Sequence, residues 1–248
     1  MTAMQPRTAS ETRIGVIMLK TAFPRPCGDI GNAETFGGQG LFETVEAATI
    51  ARVIDGDSRD SDLIQGFLVA RDRLVARGAG LVTTSCGVLA LHQERLQRSC
   101  PVPVVASSLF QLPVREAEFG PHGKIGVMCM DSRSIGPAHL LATGARADTP
   151  LIGLEDGREI YPVLRRNRAD VPLDPARAVA DVISAGRRMI EMHPDIAAIV
   201  LECTNLPPYR AALSHSLGLP VYDILTWIDE VWGNTGGAGN RSGKREET

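Results

Sequence analysis

With 248 residues, 44% of them hydrophobic, the chain can bury a sizeable core in one domain or in two small lobes. A net charge of −3 with 4% aromatic residues supplies neither a basic stripe nor a stacking platform, which argues against nucleic acid as a partner. The polar start from Met1 to Thr12 has no apolar leader, and no run of 18 apolar residues occurs, so a cytoplasmic protein with no membrane partner is expected.

In chain order, Arg13 to Lys20 is a buried strand. The Gly- and Pro-rich loop FPRPCGDIGNAETFGGQGLF leaves its carboxyl end, and loops of that length in compact domains carry function. Asp29 and Asn32 are the polar groups it can turn inward, Asn32 being taken as a substrate-binding candidate; Gly37-Gly38-Gln39-Gly40 lacks dinucleotide-fingerprint spacing. A second strand falls within Thr44 to Ile54. Asp60-Ser61 caps a helix that runs through Arg77 and ends at Gly78. The strand Leu81-Val82-Thr83-Thr84 reaches Ser85-Cys86-Gly87, followed by a helix from Val88 to Arg98, a strand from Val102 to Ala106 and a helix to Glu118. Gly120 to Gly123 is the expected hinge.

The second half opens with a strand from Lys124 to Met130, in which Cys129 is a core residue. Asp131-Ser132-Arg133-Ser134 stands where the first half has its long loop; Ser132 and Ser134 are substrate-binding candidates, and the Arg133 guanidinium suits a carboxylate. A short helix lies near Ala138 to Leu141 and a strand at Pro150 to Leu154, while Arg158 to Pro172 is polar and irregular. Asp174-Pro175 starts a helix to His193 whose apolar stripe is Val179, Val182, Ile183, Met189 and Ile190. Then come the strand Ala198 to Leu201, the cysteine of Glu202-Cys203-Thr204-Asn205, a helix from Pro207 to Leu217, a strand from Pro220 to Leu225 and a helix to Trp232.

Strands alternating with helices specify parallel sheets covered on both faces. The pattern also repeats. Cys86 lies 17 residues before Pro103 and Cys203 lies 17 before Pro220, and Ile14-Gly15-Val16 is matched by Ile125-Gly126-Val127. The expected architecture is two similar Rossmann-like or flavodoxin-like α/β lobes related by a pseudo-two-fold axis, with the active site in the cleft between them. Lobe 1 spans 13–118, completed by 219–232, and lobe 2 spans 119–218; 1–12 and 233–248 are expected as flexible tails.

The five cysteines (Cys27, Cys86, Cys100, Cys129, Cys203) form no C-x-x-C pair, and the five histidines have no ligand spacing, so free thiols and no metal are expected. Cys86 and Cys203 stand on strand-to-helix turns, where ligands bind in α/β sheets and where helix-end amides favour negative charge and lower a thiol's pKa. One thiol on each side of a cleft suits a reaction needing a base and an acid on opposite faces of one carbon, which is racemisation. Thr84, Ser85 and Gly87 on one turn, and Thr204 and Asn205 on the other, supply donors for the charge that develops.

The motifs TTSCG and LECTNLPPY, the PRPCGDIGN loop and the closing GLPVYDILT resemble the aspartate/glutamate/hydantoin racemase superfamily over roughly residues 13 to 232. The resemblance implies an isomerase that uses no cofactor, has two catalytic cysteines at Cys86 and Cys203, binds a small carboxylate with Thr204 beside the second, and forms a homodimer or higher homo-oligomer. Glutamate racemases have Asn-Thr and Thr-His where this chain has Gly87-Val88 and Thr204-Asn205, which points away from glutamate. The alternatives are a maleate-type cis-trans isomerase with one nucleophilic cysteine and a non-catalytic two-lobed binder of small molecules. Retention of both cysteines argues against a single-cysteine arylmalonate decarboxylase.

Overall fold

The structure, a computed structural model, describes residues 13–56, 60–121 and 123–234. The tails expected over 1–12 and 233–248 lie outside the described residues except for 233 and 234, which close the last helix.

The first sheet contains β1 (Arg13–Lys20), β2 (Leu41–Thr49), β3 (Ala79–Thr84) and β4 (Val104–Val105), all parallel, in the order β2-β1-β3-β4. The second contains β5 (Lys124–Cys129), β6 (Leu151–Gly153), β7 (Ile196–Leu201) and β8 (Val221–Tyr222), again parallel, in the order β6-β5-β7-β8. The helices are α1 (Ile50–Val53), α2 (Ser61–Ala76), α3 (Gln93–Gln97), α4 (Leu112–Phe119), α5 (Pro137–Ala142), α6 (Ile160–Arg166), α7 (Pro175–Met192), α8 (Arg210–Leu217) and α9 (Ile224–Asn234). Two α/β lobes with the same strand order are what the internal repeat requires.

The repeat holds down to single hydrogen bonds. Gly15 pairs with Val82 and Gly126 with Ile199, and each central pairing slips register at its first residue. Val82 donates to the Pro103 carbonyl at 2.9 Å and Ile199 to the Pro220 carbonyl at 3.0 Å. Gly15 and Gly126 let a helix lie directly on each central strand: a Cβ at Gly15 would meet that of Leu74 of α2 at 3.1 Å, and one at Gly126 would strike Met189 of α7.

The Asp60 side chain accepts from Asp62 N at the start of α2, and Asp174 accepts from Ala176 N and Arg177 N ahead of Pro175 at the start of α7. Val182, Ala185 and Met189 then bury the α7 stripe. The helices after the two edge strands change sheets. Leu112 of α4 packs with Ile125, Val127, Ala198 and Val200 of the second sheet. Ile224 and Ile228 of α9 pack with Val16, Met18, Leu81 and Val105 of the first.

Several stretches differ from the sequence expectation, among them the strand expected from Pro220 to Leu225, which stops at Tyr222 before α9 begins at Ile224. The strand expected within 44–54 begins at Leu41 and stops at Thr49, whose side chain accepts from Arg52 N and so starts α1. The helix expected from Val88 to Arg98 is a tighter 3-10 turn over Gly87–His92 before α3. The stretch read as irregular after Arg158 holds α6, with Ile160, Val163 and Leu164 buried. Its N-terminal amides are held by a carboxylate from another helix: Asp181 accepts from Arg158, Glu159 and Ile160 N at 3.1, 2.8 and 3.0 Å. A cap supplied from α7 leaves no local signal.

Candidate active site

The turns after β3 and β7 share a backbone. Ser85 N donates to Ile17 O at 2.9 Å and Glu202 N to Met128 O at 2.8 Å; Leu89 N donates to Cys86 O at 3.1 Å and Leu206 N to Cys203 O at 3.0 Å. Ser85 and Glu202 are therefore equivalent, as are Cys86 and Cys203, and Gly87 and Thr204. Both cysteines line one pocket of about 70 Å³. Leu19, Phe23, Ile50, Ile54, Met130 and Leu164 form its apolar wall, and Arg25, Asp131, Arg165, Glu202, Thr204 and Asn205 contribute polar groups.

Polar side chains on the first turn are spent on the backbone. The Thr84 hydroxyl is set by the Ala106 and Cys86 carbonyls at 2.7 and 3.0 Å and does not line the pocket. Ser85 lines the pocket, but its oxygen accepts from Leu19 N at 2.9 Å. Gly87 is needed because a Cβ there would strike the Glu202 carboxyl.

Groups on the second turn are less committed. Thr204 is 1% exposed, and its hydroxyl has no hydrogen-bond partner among the described residues. Cys203 Sγ donates to Asn205 Oδ1 at 3.4 Å, and Asn205 Nδ2 donates to Asp29 Oδ2 at 2.8 Å. Asp29, itself buried, accepts from Gly31 N at 2.8 Å and pairs with Arg25 at 2.6 Å. Ile30 N donates to Thr204 O at 3.2 Å, so the first lobe's loop is fastened to the second lobe's turn.

Of the other expected groups, all but Ser134 are placed apart from the pocket. The Asn32 amide is used inside its loop, donating to Arg25 O at 2.7 Å and accepting from Glu34 N at 2.8 Å. Ser132 bonds to the Glu155 carboxylate and does not line the pocket, whereas Ser134 does. Arg133 is no carboxylate clamp: it turns back on Asp131 with bonds of 2.8 and 2.6 Å, and its side chain is 74% exposed. That bond, with one from the Tyr161 hydroxyl at 2.8 Å, holds Asp131 down to about 2. Cys27 is exposed on the loop, and Cys129 is buried in the core.

The guanidinium groups on the pocket wall are Arg25 and Arg165, which sequence reasoning missed. Arg25 stands in the PRPCGDIGN motif four residues before Asp29, a spacing that was a usable signal. Arg165 rides on α6 and pairs with Asp55 at 2.9 Å.

The expectation of depressed thiol pKa values is corrected. Burial, reinforced by Glu202, pushes Cys86 up to about 12, outweighing the Val88 and Leu89 amides and Arg25, which act the other way. Burial and Glu202 also raise Cys203 well above the ordinary thiol range. Glu202 itself is raised to about 8 by burial. Burial thus favours the protonated form of both thiols.

No protein-family model matches the chain. Among solved structures, a variant of arylmalonate decarboxylase superposes with a TM-score of 0.62 at 17% identity, covering 93% of this chain and 97% of that one. Allantoin racemase from Pseudomonas fluorescens superposes with a TM-score of 0.54 at 18% identity, covering 95% and 100%. The fold is thus the one that arylmalonate decarboxylase and allantoin racemase share. In sequence, the chain is 30% identical over 223 residues to a dimethylsulfoniopropionate lyase of Durusdinium sp. clade D, covering 87% of this chain and 72% of the relative. It belongs to the dimethylsulfoniopropionate lyase family. A second relative, dimethylsulfoniopropionate lyase 5 of Emiliania huxleyi (strain CCMP1516), is 26% identical over 231 residues, and the chain spans 44% of its length. These relatives are named lyases, whereas the sequence reading expected an isomerase.

Proposed function

We propose that the chain is a lyase that acts on a carbon acid without a cofactor: it removes a proton next to a carboxylate and expels a neutral sulfide from the neighbouring carbon. The substrate is dimethylsulfoniopropionate, the molecule in the names of its relatives. The observation that carries the reading is the meeting of a buried thiol, a half-buried thiol and a buried hydroxyl without a partner among the described residues on one small, largely apolar pocket. A hydroxyl left unpaired at that depth costs about 1–3 kcal/mol unless a ligand satisfies it, and a carboxylate oxygen would do so at Thr204.

In this reading the substrate carboxylate lies by Thr204 and the amides of the second turn, with Arg25 adding positive charge. One thiol, as thiolate, takes the α-proton. The electron pair of that C–H bond forms the double bond, the C–S bond breaks, and its pair leaves with dimethyl sulfide; acrylate remains. The sulfonium carries no N–H groups, so its methyl groups suit Phe23, Ile50, Ile54 and Leu164. Because the leaving group departs neutral, one base suffices.

The test is release of dimethyl sulfide and acrylate in equal amounts from dimethylsulfoniopropionate. Absence of both products sinks the proposal. A second reading, racemisation or epimerisation of an amino acid or related α-carbon acid, is favoured by both thiols lining one pocket. It predicts deuterium uptake from solvent at the α-carbon of recovered substrate, without elimination.

A further inference from the structure

We propose that Glu202 belongs to the pocket's proton traffic: its carboxylate takes the proton of the thiol that serves as base and then passes it to solvent. This rests on the elimination reading, because elimination leaves one proton behind in every turnover. A racemase returns a proton to its substrate. A lyase does not, and a buried thiol that has taken the α-proton stays inactive until that proton goes elsewhere.

The geometry puts a carboxyl where such a group is required. Glu202 is joined to Cys203 in the second lobe's turn, yet its carboxyl lies against Gly87, the residue after Cys86 in the first lobe. A Cβ at Gly87 would also come within 2.5 Å of the Glu202 carbonyl oxygen, so the fit depends on glycine. Glu202 is 4% exposed and lines the pocket. The Ser108 hydroxyl, donating to Leu201 O at 2.7 Å, holds the strand end. Ser85, at the equivalent place in the first turn, is already bonded to Leu19 N, so the carboxyl has no counterpart there.

The groups that surround it are Cys86 from the first turn, Cys203 from its own turn and Cys129 from the end of β5, with Arg25, Asp131 and Arg165 on the same pocket wall. Burial raises Glu202 to about 8 and Cys86 to about 12, so between this carboxyl and that thiol the negative charge falls first on the carboxylate, beside an Asp131 that is already ionised. Transfer breaks an S–H bond and forms an O–H bond with no change in net charge. The thiolate then takes the α-proton as the sulfide leaves, and the Glu202 carboxyl gives its proton to water, which restores the starting state.

Glu202→Gln keeps the shape and removes the ionisation. Three measurements test the role. First, iodoacetamide modification of Cys86 and Cys203 between pH 6 and 10 (roughly the range where both groups matter), read by peptide mass spectrometry, needs no substrate. The wild-type rate should level off above about 8, where Glu202 is ionised, while the Gln rate keeps rising. Glu202→Asp should restore the levelling. Profiles that superpose overturn the inference whatever the substrate. Second, kcat on dimethylsulfoniopropionate should fall about 100-fold in the Gln variant with KM little changed, and should come to depend on the concentration of a small buffer base. An unchanged kcat overturns the role. If the wild type turns over no dimethylsulfoniopropionate, the substrate reading fails, and the alkylation profiles still decide whether thiol and carboxyl share a charge. An infrared titration of the wild type, which depends on no variant, should show a protonated carboxyl at neutral pH; its absence overturns the inference.

Discussion

Ser85 and Glu202 occupy the same place in turns that match bond for bond, and they use it differently. Ser85 turns its oxygen to a backbone amide of its own lobe, whereas Glu202 reaches across to Gly87 in the other. Thr84 is likewise tied to two carbonyls, while the hydroxyl of Thr204, the residue equivalent to Gly87, is left unpaired in the pocket. Duplication fixed where the thiols stand. The residues beside them then diverged, one turn toward holding the sheet and the other toward meeting a ligand.

The largest effect should come from the thiols. In an elimination with one base, one of Cys86→Ser and Cys203→Ser should cut kcat by about 1,000-fold or more and the other by far less. Equal losses in acrylate release would return the molecule to two-base chemistry and blunt the contrast between the turns. Next is Gly87→Ala, whose added methyl meets Glu202; it should destabilise the protein by about 1–3 kcal/mol in denaturant melts. A wild-type melt would mean that both the Glu202 carboxyl and its backbone carbonyl are free to move aside.

A smaller pair of changes separates the hydroxyls. Thr84→Val should cost about 1 kcal/mol of stability and spare KM, because its bonds are internal. Thr204→Val should leave stability level or slightly higher and raise KM about tenfold. The reverse pattern would exchange the roles of the two turns.

The last test is the pH dependence of stability. Glu202 is raised from 4.5 to about 8 in the folded protein, so its contribution is complete below about 4.5 and is lost as pH rises to about 8. The wild type should therefore lose stability over that window relative to Glu202→Gln, as read by chemical denaturation at fixed pH values. Parallel curves would show that the carboxyl is solvated.

Much of this was legible in the chain. Aliphatic strands, the equal cysteine-to-proline spacings and the paired Ile-Gly-Val openings led to two matching lobes, and the small polar residues after each strand led to the turns. The rest depended on distance. Arg165 stands on a helix whose amides are capped by Asp181, 23 residues beyond Arg158, so neither the helix nor its arginine announces itself locally. Arg133 was within two residues of the carboxylate that holds it, but an arginine and an aspartate in sequence do not disclose which way each turns. The thiol pKa values went opposite to expectation because burial, which periodicity reports only for whole faces, outweighed the local amides.

The exchange of α4 and α9 bears on how such a molecule could arise and be taken apart. Each sheet owes part of its apolar cover to a helix encoded in the other half, so a fragment ending near the middle of the chain would lack α9 and expose Val16, Leu81 and Val105. Two separate halves could regain the same cover only by trading that last helix, as domain-swapped pairs do. The joined chain makes that trade permanent.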